Sequence, residues 1–147
     1  MEFIYFDTPH AIEVHDEIIR QSGGILGIIN IGLLESTLEH VQNDLYYPEL
    51  EDKLTHLFYA INKNHSFQDG NKRASIMLSA YFLEINGFAY RVSDFIERME
   101  DNAVHVADNK IDRDLLFEII QSIIYEEDYS ESLKLRIYNA LIETENF

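Results

Sequence analysis

The sequence HSFQDGNKR at residues 65–73 lies between two segments that carry the hydrophobic pattern of helices. In the segment before it, apolar side chains recur at the spacing of one helix face. These side chains are Leu54, Leu57, Phe58 and Ile61. In the segment after it, apolar residues fall on almost every side of a helix that we predict over about residues 73–86. A helix of this kind is covered by neighbours all round, so we expect it at the centre of the fold.

Helical patterns along the rest of the chain predict an all-α fold. The sequence DTP at residues 7–9 is typical of a helix start, and GG at residues 23–24 is typical of a helix end. Further helices are predicted over residues 33–41, 93–108, 112–126 and 131–143, and a short strand over residues 2–6. No stretch rich in glycine, serine or proline interrupts the chain. Residues 1–147 are therefore expected to form a single domain, a bundle of about seven helices around the central one.

The composition restricts the classes of function. The chain has 147 residues and no cysteine, which excludes disulfides, thiolate metal sites and a cysteine nucleophile. Its formal net charge of -16 argues against binding to nucleic-acid backbones and to anionic membranes. The sequence lacks a basic leader and any apolar run approaching the roughly 18 residues of a membrane span, so we expect a cytoplasmic protein.

The segment at residues 65–73 has the composition of a phosphate site. Gly70 permits an unusual backbone dihedral or a close backbone approach at the start of a helix, where free N–H groups favour an anion. Arg73 can grip phosphate oxygens in a fork, and Lys72 adds a point charge. The side-chain amide of Asn71 can donate to an oxygen. Together these residues predict a site for the phosphates of a nucleotide.

Two side chains of the same segment suit the chemistry of a transfer reaction. Asp69 supplies a hard oxygen ligand beside the phosphate site, which suits Mg²⁺ held jointly by one carboxylate and the phosphates. Histidine is the side-chain type that titrates near neutrality, so His65 suits removal of a proton from an attacking hydroxyl. Phe67 is expected in the core, where an apolar anchor fixes the positions of its polar neighbours.

At these residues the sequence resembles the Fic/Doc family. The family motif is a histidine, a phenylalanine two positions on, an acidic residue two further, and a glycine–asparagine helix opening that ends in arginine. The typical Fic form has proline after the histidine and glycine between asparagine and arginine, whereas this chain has Ser66 and Lys72. Lysine at that position is the mark of the Doc branch. The similarity extends to His15-Asp16, Gly23-Gly24, residues 32–35 and Asn86-Gly87.

The resemblance implies a Fido-type helical fold and a toxin of a toxin–antitoxin pair. The reaction implied for the Doc branch is that of a protein kinase, which uses ATP and Mg²⁺ and transfers the γ-phosphate to a Ser or Thr hydroxyl. The implied partners are a translation factor such as elongation factor Tu, as target, and an antitoxin protein. The expected catalytic residues are His65, Asp69, Lys72 and Arg73, with Gly70, Asn71, Lys72 and Arg73 at the nucleotide and Asp69 at the metal.

Two other functions stay open on the sequence. Doc proteins commonly carry alanine at the position of Gly70, and glycine there favours the Fic reaction, in which AMP or another nucleotidyl group is transferred to protein. The second alternative is a non-catalytic module that binds a phosphate or a protein through the same anion site.

Two further sets of residues have an ordinary interpretation beside a functional one. A group of aromatic and acidic residues precedes the motif at a place where family members have a flap that aligns the target segment, and it is either that flap or a polar loop. This group is Tyr46, Tyr47, Glu49 and Glu51. The histidines outside the motif are interpreted as structural. They are His10, His15, His40, His56 and His105.

Overall fold

The structure is a computed structural model that describes residues 2–145, and within this range it contains seven helices and no strand. The helices are α1 (Thr8–Ser22), α2 (Ile31–His40), α3 (Leu50–Asn64), α4 (Asn71–Ile85), α5 (Ala89–Ala107), α6 (Arg113–Tyr125) and α7 (Glu131–Glu145). The predicted all-α bundle of about seven helices is confirmed. Among residues 2–145, no helix combines the length and the apolar character needed to cross a membrane.

α4 lies at the centre of the bundle, as predicted, and packs against α1, α3 and α5. It begins at Asn71, two positions earlier than the hydrophobic pattern indicates, because its first turn belongs to the polar motif. Its inner positions combine small residues with large apolar ones, such as Ala74 beside Leu78 and Phe82, all of them buried. Small residues allow neighbouring helices to approach closely, so α4 is enclosed on most sides.

α3 is buried at least as fully as α4, although its sequence shows only one apolar face. It packs against α2, α4, α5 and α6. Its buried polar side chains have partners: Lys53 donates to the Val41 carbonyl oxygen at 2.9 Å and to Asp44 at 2.8 Å, and His56 donates to the Thr37 carbonyl oxygen at 3.1 Å. The bundle is therefore built around two central helices, and the motif connects them.

The ends of α1 follow the sequence prediction. Asp7 is the N-cap, and its carboxylate accepts a hydrogen bond from the backbone N–H of His10 at 3.0 Å. Pro9 stands in the first turn, where its missing N–H costs nothing. The helix ends at Ser22, and Gly23 follows as its C-cap and leads into a loop that lies beside the motif.

The prediction of a short strand at residues 2–6 is wrong. The described residues of this segment have no regular secondary structure, because no neighbouring strand offers a hydrogen-bond ladder. The side-chain amide of Asn86 takes that role for one residue: Ile4 N–H donates to Asn86 Oδ1 at 2.8 Å, and Asn86 Nδ2 donates to the Ile4 carbonyl oxygen at 3.0 Å. Phe3 and Tyr5 pack against the ring of Phe82. The segment is attached to the end of α4 by these contacts.

Candidate active site

The motif forms the sharp connection between α3 and α4. His65 ends α3 in a left-handed conformation, with φ of 50° and ψ of 48°, and its side chain is exposed. Gly70 precedes α4, also in a left-handed conformation, with φ of 77°. The two left-handed residues allow the chain to reverse within a few positions, so the predicted histidine, carboxylate and helix start lie at one end of the two central helices.

The inside of this connection is closed by Phe67 and Asn71. Phe67 is fully buried in the core, as predicted. The Asn71 side chain donates to the Phe67 carbonyl oxygen at 3.0 Å, and its Oδ1 accepts from the Phe67 N–H at 3.1 Å. The amide therefore holds the loop together instead of facing a ligand oxygen, because the backbone of Phe67 occupies both of its polar atoms. What Asn71 can offer an anion is its backbone N–H in the first turn of α4.

The N-terminus of α4 has the geometry of an anion site. The first N–H groups of a helix have no partner within the helix, and the helix dipole makes this end positive. Gly70 is favoured immediately before it, because φ is positive and a Cβ there would lie 3.0 Å from Ile19 Cδ1 and 3.4 Å from His15 Nε2. The glycine thus permits close contact between α1 and the start of α4.

Asp69 is held as a carboxylate beside this helix end. Oδ1 accepts a hydrogen bond from the Gly70 N–H at 2.8 Å, and Oδ2 accepts one from the Ile25 N–H at 3.1 Å. These two backbone bonds lower the pKa of Asp69 below its usual value, with the charge of Arg73 as a smaller cause. The side chain stays 42% exposed, so its remaining lone pairs can reach a cation from solvent.

Two cations flank the start of α4 in different ways. Arg73 is fixed: Nη1 donates to Ser22 Oγ at 2.6 Å and to the Gly23 carbonyl oxygen at 2.8 Å, while Nη2 lies 3.8 Å from Asp69 Oδ1. Lys72 is exposed and forms no ion pair with the described part of the chain. One cation is therefore preorganised at the site, and the other can move toward a ligand.

Asp69 is the residue that could hold a magnesium ion here, jointly with the phosphate oxygens of a ligand. Within residues 2–145, no three His, Asp or Glu side chains are grouped as a metal cage. Asp69 alone supplies a carboxylate at the helix start. Mg²⁺ keeps several waters and is commonly bound by one or two carboxylates plus substrate phosphates, and this donor set fits that pattern.

The comparison with known families agrees with the motif. The sequence profile of the Fic/DOC family matches residues 5–83, which is more than half of the chain. The chain belongs to the Fic/DOC family.

Two relatives of this Fic/DOC protein match more than half of its length. A protein named Toxin Doc from Mycolicibacterium smegmatis is 34% identical over 96 residues, which cover 63% of this chain and 74% of that protein. A protein named Protein kinase doc from Escherichia phage P1 is 34% identical over 87 residues, which cover 56% of this chain and 68% of that protein. The predicted resemblance to the family, and to its Doc branch in particular, is confirmed.

The loop between α1 and α2, residues 23–30, runs along the Fic/DOC motif. The Ile29 N–H donates to the Ser66 carbonyl oxygen at 2.7 Å, and the Gln68 N–H donates to the Gly27 carbonyl oxygen at 3.0 Å. From the sequence we interpreted Gly23-Gly24 only as a helix end and inferred no contact between this loop and the motif. Its composition, GGILGIIN, was the available signal, because a turn seldom combines so many apolar residues with glycines.

The residues suggested as a flap lie in the loop before α3 and in the first turn of that helix, where Glu49 is the N-cap and Glu51 is buried. Residues 46–49 precede α3, whereas His65 ends it. Fifteen helical residues separate the two ends by about 22 Å, so Tyr46 and Tyr47 cannot lie over the motif. Tyr47 packs instead on the ring of His56, with centroids 4.4 Å apart.

A cleft opens beside the two cations, between α1, α4 and α5. Its volume is about 510 Å³, and its lining is mainly apolar. Its charged lining residues are Lys72, Arg73 and Glu100. The volume lies in the range of small-ligand sites, and the two cations connect it to the helix start.

His15, which we interpreted as structural, is buried beneath the motif. Its ring stacks on Phe67, and its Nε2 donates to the Asp69 carbonyl oxygen at 2.6 Å. His15 faces no solvent, so it is a structural residue, and the segment that it supports is the motif loop. The sequence could not show this contact, because the two residues are 54 positions apart.

Proposed function

We propose that this Fic/DOC protein is a Doc-type toxin that acts as a protein kinase. It would transfer the γ-phosphate of ATP, with Mg²⁺, to a Ser or Thr hydroxyl of a translation factor such as elongation factor Tu. The observation that carries the proposal is Lys72 beside the anion site at the start of α4, with His65 exposed at the same turn. The names of the two relatives, a toxin and a protein kinase, support both parts of it.

His65 would act as the general base. Its imidazole is exposed at the turn and makes no hydrogen bond within residues 2–145, so it can approach an incoming hydroxyl. It would take the proton as the hydroxyl oxygen forms a bond to the γ-phosphorus. The bond between that phosphorus and the bridging oxygen breaks, and ADP leaves with the electron pair.

The start of α4 would hold the phosphates. The backbone N–H groups of Asn71 and Lys72 point toward the helix end, and Arg73 adds a fixed charge. Asp69 would hold Mg²⁺, which when bound neutralises charge on the phosphate oxygens. The carboxylate of Asp69 is ionised at neutral pH even at its ordinary pKa, and its backbone hydrogen bonds lower that pKa further.

Transfer of AMP is the alternative that Gly70 favours. Glycine at this position is part of the Fic form, but here it also has a conformational reason. Its φ of 77° and its close contacts with Ile19 and His15 disfavour any side chain. Gly70 is therefore a weaker argument for AMP transfer than Lys72 is for phosphoryl transfer.

The deciding experiment is intact-protein mass spectrometry of elongation factor Tu after incubation with the protein, ATP and Mg²⁺. A gain of one phosphoryl group, together with release of ADP, is expected. A gain of AMP would replace the kinase proposal by the nucleotidyl transferase. Calorimetric binding of Mg²⁺–ATP without any modified protein, in a lysate as well, would favour the non-catalytic module.

We also propose that an antitoxin protein inhibits this toxin, because one of its relatives is named a toxin. Expression of the chain alone is expected to stop growth of a bacterial host, and co-expression of the small protein encoded beside it is expected to restore growth. Growth that is unaffected by the active chain would contradict the toxin assignment, without bearing on the chemistry tested by mass spectrometry.

A further inference from the structure

His15 lies on α1 directly beneath the motif. Its ring is parallel to that of Phe67, with centroids 3.8 Å apart and planes inclined by 4°. Neither residue has any solvent exposure. A buried imidazole costs free energy unless its nitrogens have hydrogen-bond partners, so the identity of those partners shows what the residue holds in place.

The partners connect His15 to the backbone of the motif. Nε2 donates to the Asp69 carbonyl oxygen at 2.6 Å, and Nδ1 lies 3.2 Å from Asp16 Oδ1. That carbonyl belongs to the peptide unit between Asp69 and Gly70. A trans peptide unit is planar, and its C=O and N–H point in opposite directions. Holding the carbonyl toward His15 therefore turns the Gly70 N–H toward Asp69 Oδ1, to which it donates at 2.8 Å.

Gly70 makes such an external hold necessary. Glycine adopts positive and negative φ with similar ease, so the peptide unit before it can rotate at little cost. A rotation would break the bond from the Gly70 N–H to the Asp69 carboxylate and would redirect the first N–H groups of α4. A contact from a different helix, α1, prevents this without requiring a side chain at position 70.

We propose that His15 is a positioning residue of the nucleotide site, which orients the Asp69–Gly70 peptide unit through the hydrogen bond from Nε2. The expected effect of His15 on ATP binding rests on the proposed function. Its geometric part concerns only the backbone at Gly70, which can be measured without catalysis.

Two variants separate the hydrogen bond from the packing. His15→Phe keeps an aromatic ring against Phe67 but has no donor. His15→Gln loses the ring but keeps an N–H donor that can reach the Asp69 carbonyl oxygen. The control is Ile120→Val, which removes one methylene group from a buried residue of α6 and lowers stability without touching the site.

Amide hydrogen exchange at Gly70 is the readout that does not depend on activity. His15→Phe is expected to raise its exchange rate about tenfold, the effect of one lost hydrogen bond, while His15→Gln and Ile120→Val stay near the wild-type rate. Equal rates in His15→Phe and Ile120→Val would overturn the inference. Fast exchange of the Gly70 amide in His15→Gln would also overturn the inference. If His15→Phe does not fold, the exchange rate in His15→Gln is the test.

Kinetics extend the test to the proposed kinase. His15→Phe is expected to raise KM for ATP about tenfold with a smaller change in kcat, and His15→Gln is expected to restore KM. An unchanged KM in His15→Phe would overturn the role at the nucleotide. A wild-type protein that produces neither phosphoprotein nor ADP would contradict the proposed function, and the exchange rates at Gly70 would then judge His15 by themselves.

Discussion

His65 presents its imidazole from a strained backbone position. A left-handed conformation costs a residue with a Cβ about 1–2 kcal/mol, and His65 adopts it where α3 ends. The buried ring of Phe67, two positions on, fixes the direction of the chain after this turn. The strain is thus a consequence of reversing the chain tightly, and its result is an exposed imidazole at the turn between α3 and α4.

The first prediction concerns His65→Ala. Because the ring is exposed and makes no hydrogen bond within residues 2–145, the free energy of unfolding should change by less than about 0.5 kcal/mol. Phosphoryl transfer should fall by about 100-fold or more, the usual contribution of a general base. Rates of ADP release and urea unfolding check both values. His40→Ala, at another exposed histidine, is the control, and equal activity in the two variants would remove His65 from the reaction.

The second prediction is that the Lys72 side chain determines which phosphorus atom of ATP is attacked. Lys72→Gly gives the motif the glycine that the typical Fic form has between asparagine and arginine. The mass spectrum of the target should then show more AMP transfer relative to phosphoryl transfer. Lys72→Ala is the matched control, because it removes the ammonium without the backbone freedom that glycine adds in a helix. If both variants give only phosphoprotein at the wild-type rate, the side chain does not select the reaction.

The third prediction concerns Gly70→Ala. Alanine in a left-handed conformation costs about 1 kcal/mol, and at Gly70 the new Cβ would also be crowded by Ile19 and His15. Gly87 has a similar φ of 92° but nothing within 4 Å of its Cβ position, so Gly87→Ala measures the backbone cost alone. Urea unfolding should show a loss of about 2 kcal/mol for Gly70→Ala and about 1 kcal/mol for Gly87→Ala. Equal losses of unfolding free energy in the two variants would show that Ile19 and His15 move aside for the new Cβ at no cost.

Among the elements, α3 carries polar side chains through the core, and Lys53, His56 and Asn62 each bind a neighbouring segment. Lys53 is fully buried, and its ammonium reaches the Val41 carbonyl oxygen and the exposed carboxylate of Asp44. It also lies over the rings of Phe3 and Tyr5, at 5.0 and 5.6 Å from their centroids. One side chain thus holds both the N-terminal segment and the turn after α2.

The fourth prediction is that Lys53→Met destabilises the fold. Methionine matches the length of lysine but leaves the buried Val41 carbonyl oxygen without its partner, which costs about 1–3 kcal/mol. Lys134→Met is the control, because Lys134 pairs with Asp128 on the surface, where an ion pair is worth about 0–1 kcal/mol. Guanidinium unfolding of both variants measures the difference. Similar losses would mean that the ammonium of Lys53 contributes no more than a surface charge.

Helices and their ends were predictable because the responsible interactions are local. The cap at Asp7 and the periodic apolar face of α3 both act within one or two turns. The strand at residues 2–6 was predicted wrongly because a strand exists only if another strand pairs with it, and here the Asn86 side chain binds Ile4 instead.

The candidate site was predictable to the extent that its groups are neighbours in sequence. His65 through Arg73 lie within one turn and the start of one helix, so a motif could identify them. The supports come from far away: Ser22 holds Arg73, and His15 holds the Asp69 carbonyl. No local pattern encodes such contacts, and His15 in particular looks like any other core histidine on an amphipathic helix.

At the scale of the whole molecule, our proposal places a site for an anion on a protein with a net charge of -16. The two facts are compatible because the attraction is short-ranged: helix N–H groups and two cations act within a few ångströms, while distant charges are screened by salt. Arg73 is kept in place by the end of α1. The bundle therefore supplies a local positive site on a chain that repels long polyanions.

The stability of the bundle should also depend on pH through His56, far from the motif. His56 accepts a hydrogen bond from Arg113 at Nδ1, at 3.3 Å, and donates from Nε2 to the Thr37 carbonyl oxygen. Its ring is thus neutral in the folded state. Burial, with a smaller contribution from the charge of Arg113, lowers its pKa to about 4.

The fifth prediction follows from that pKa. In the unfolded chain a histidine binds its proton near pH 6.5, so between pH 6.5 and 4 the unfolded state binds more protons and the fold loses stability as pH falls. The free energy of unfolding at pH 5 should be lower than at pH 7 by about 2 kcal/mol from this group. Carboxylates titrate in the same range. The measurement is therefore the change in the free energy of unfolding between pH 7 and pH 5 in the wild type, minus the same change in His56→Gln. NMR titration of the His56 ring is a direct check. A ring that titrates near pH 6.5 would show that burial does not keep His56 neutral. The same conclusion would follow if the free energy of unfolding changed equally between pH 7 and pH 5 in the two proteins.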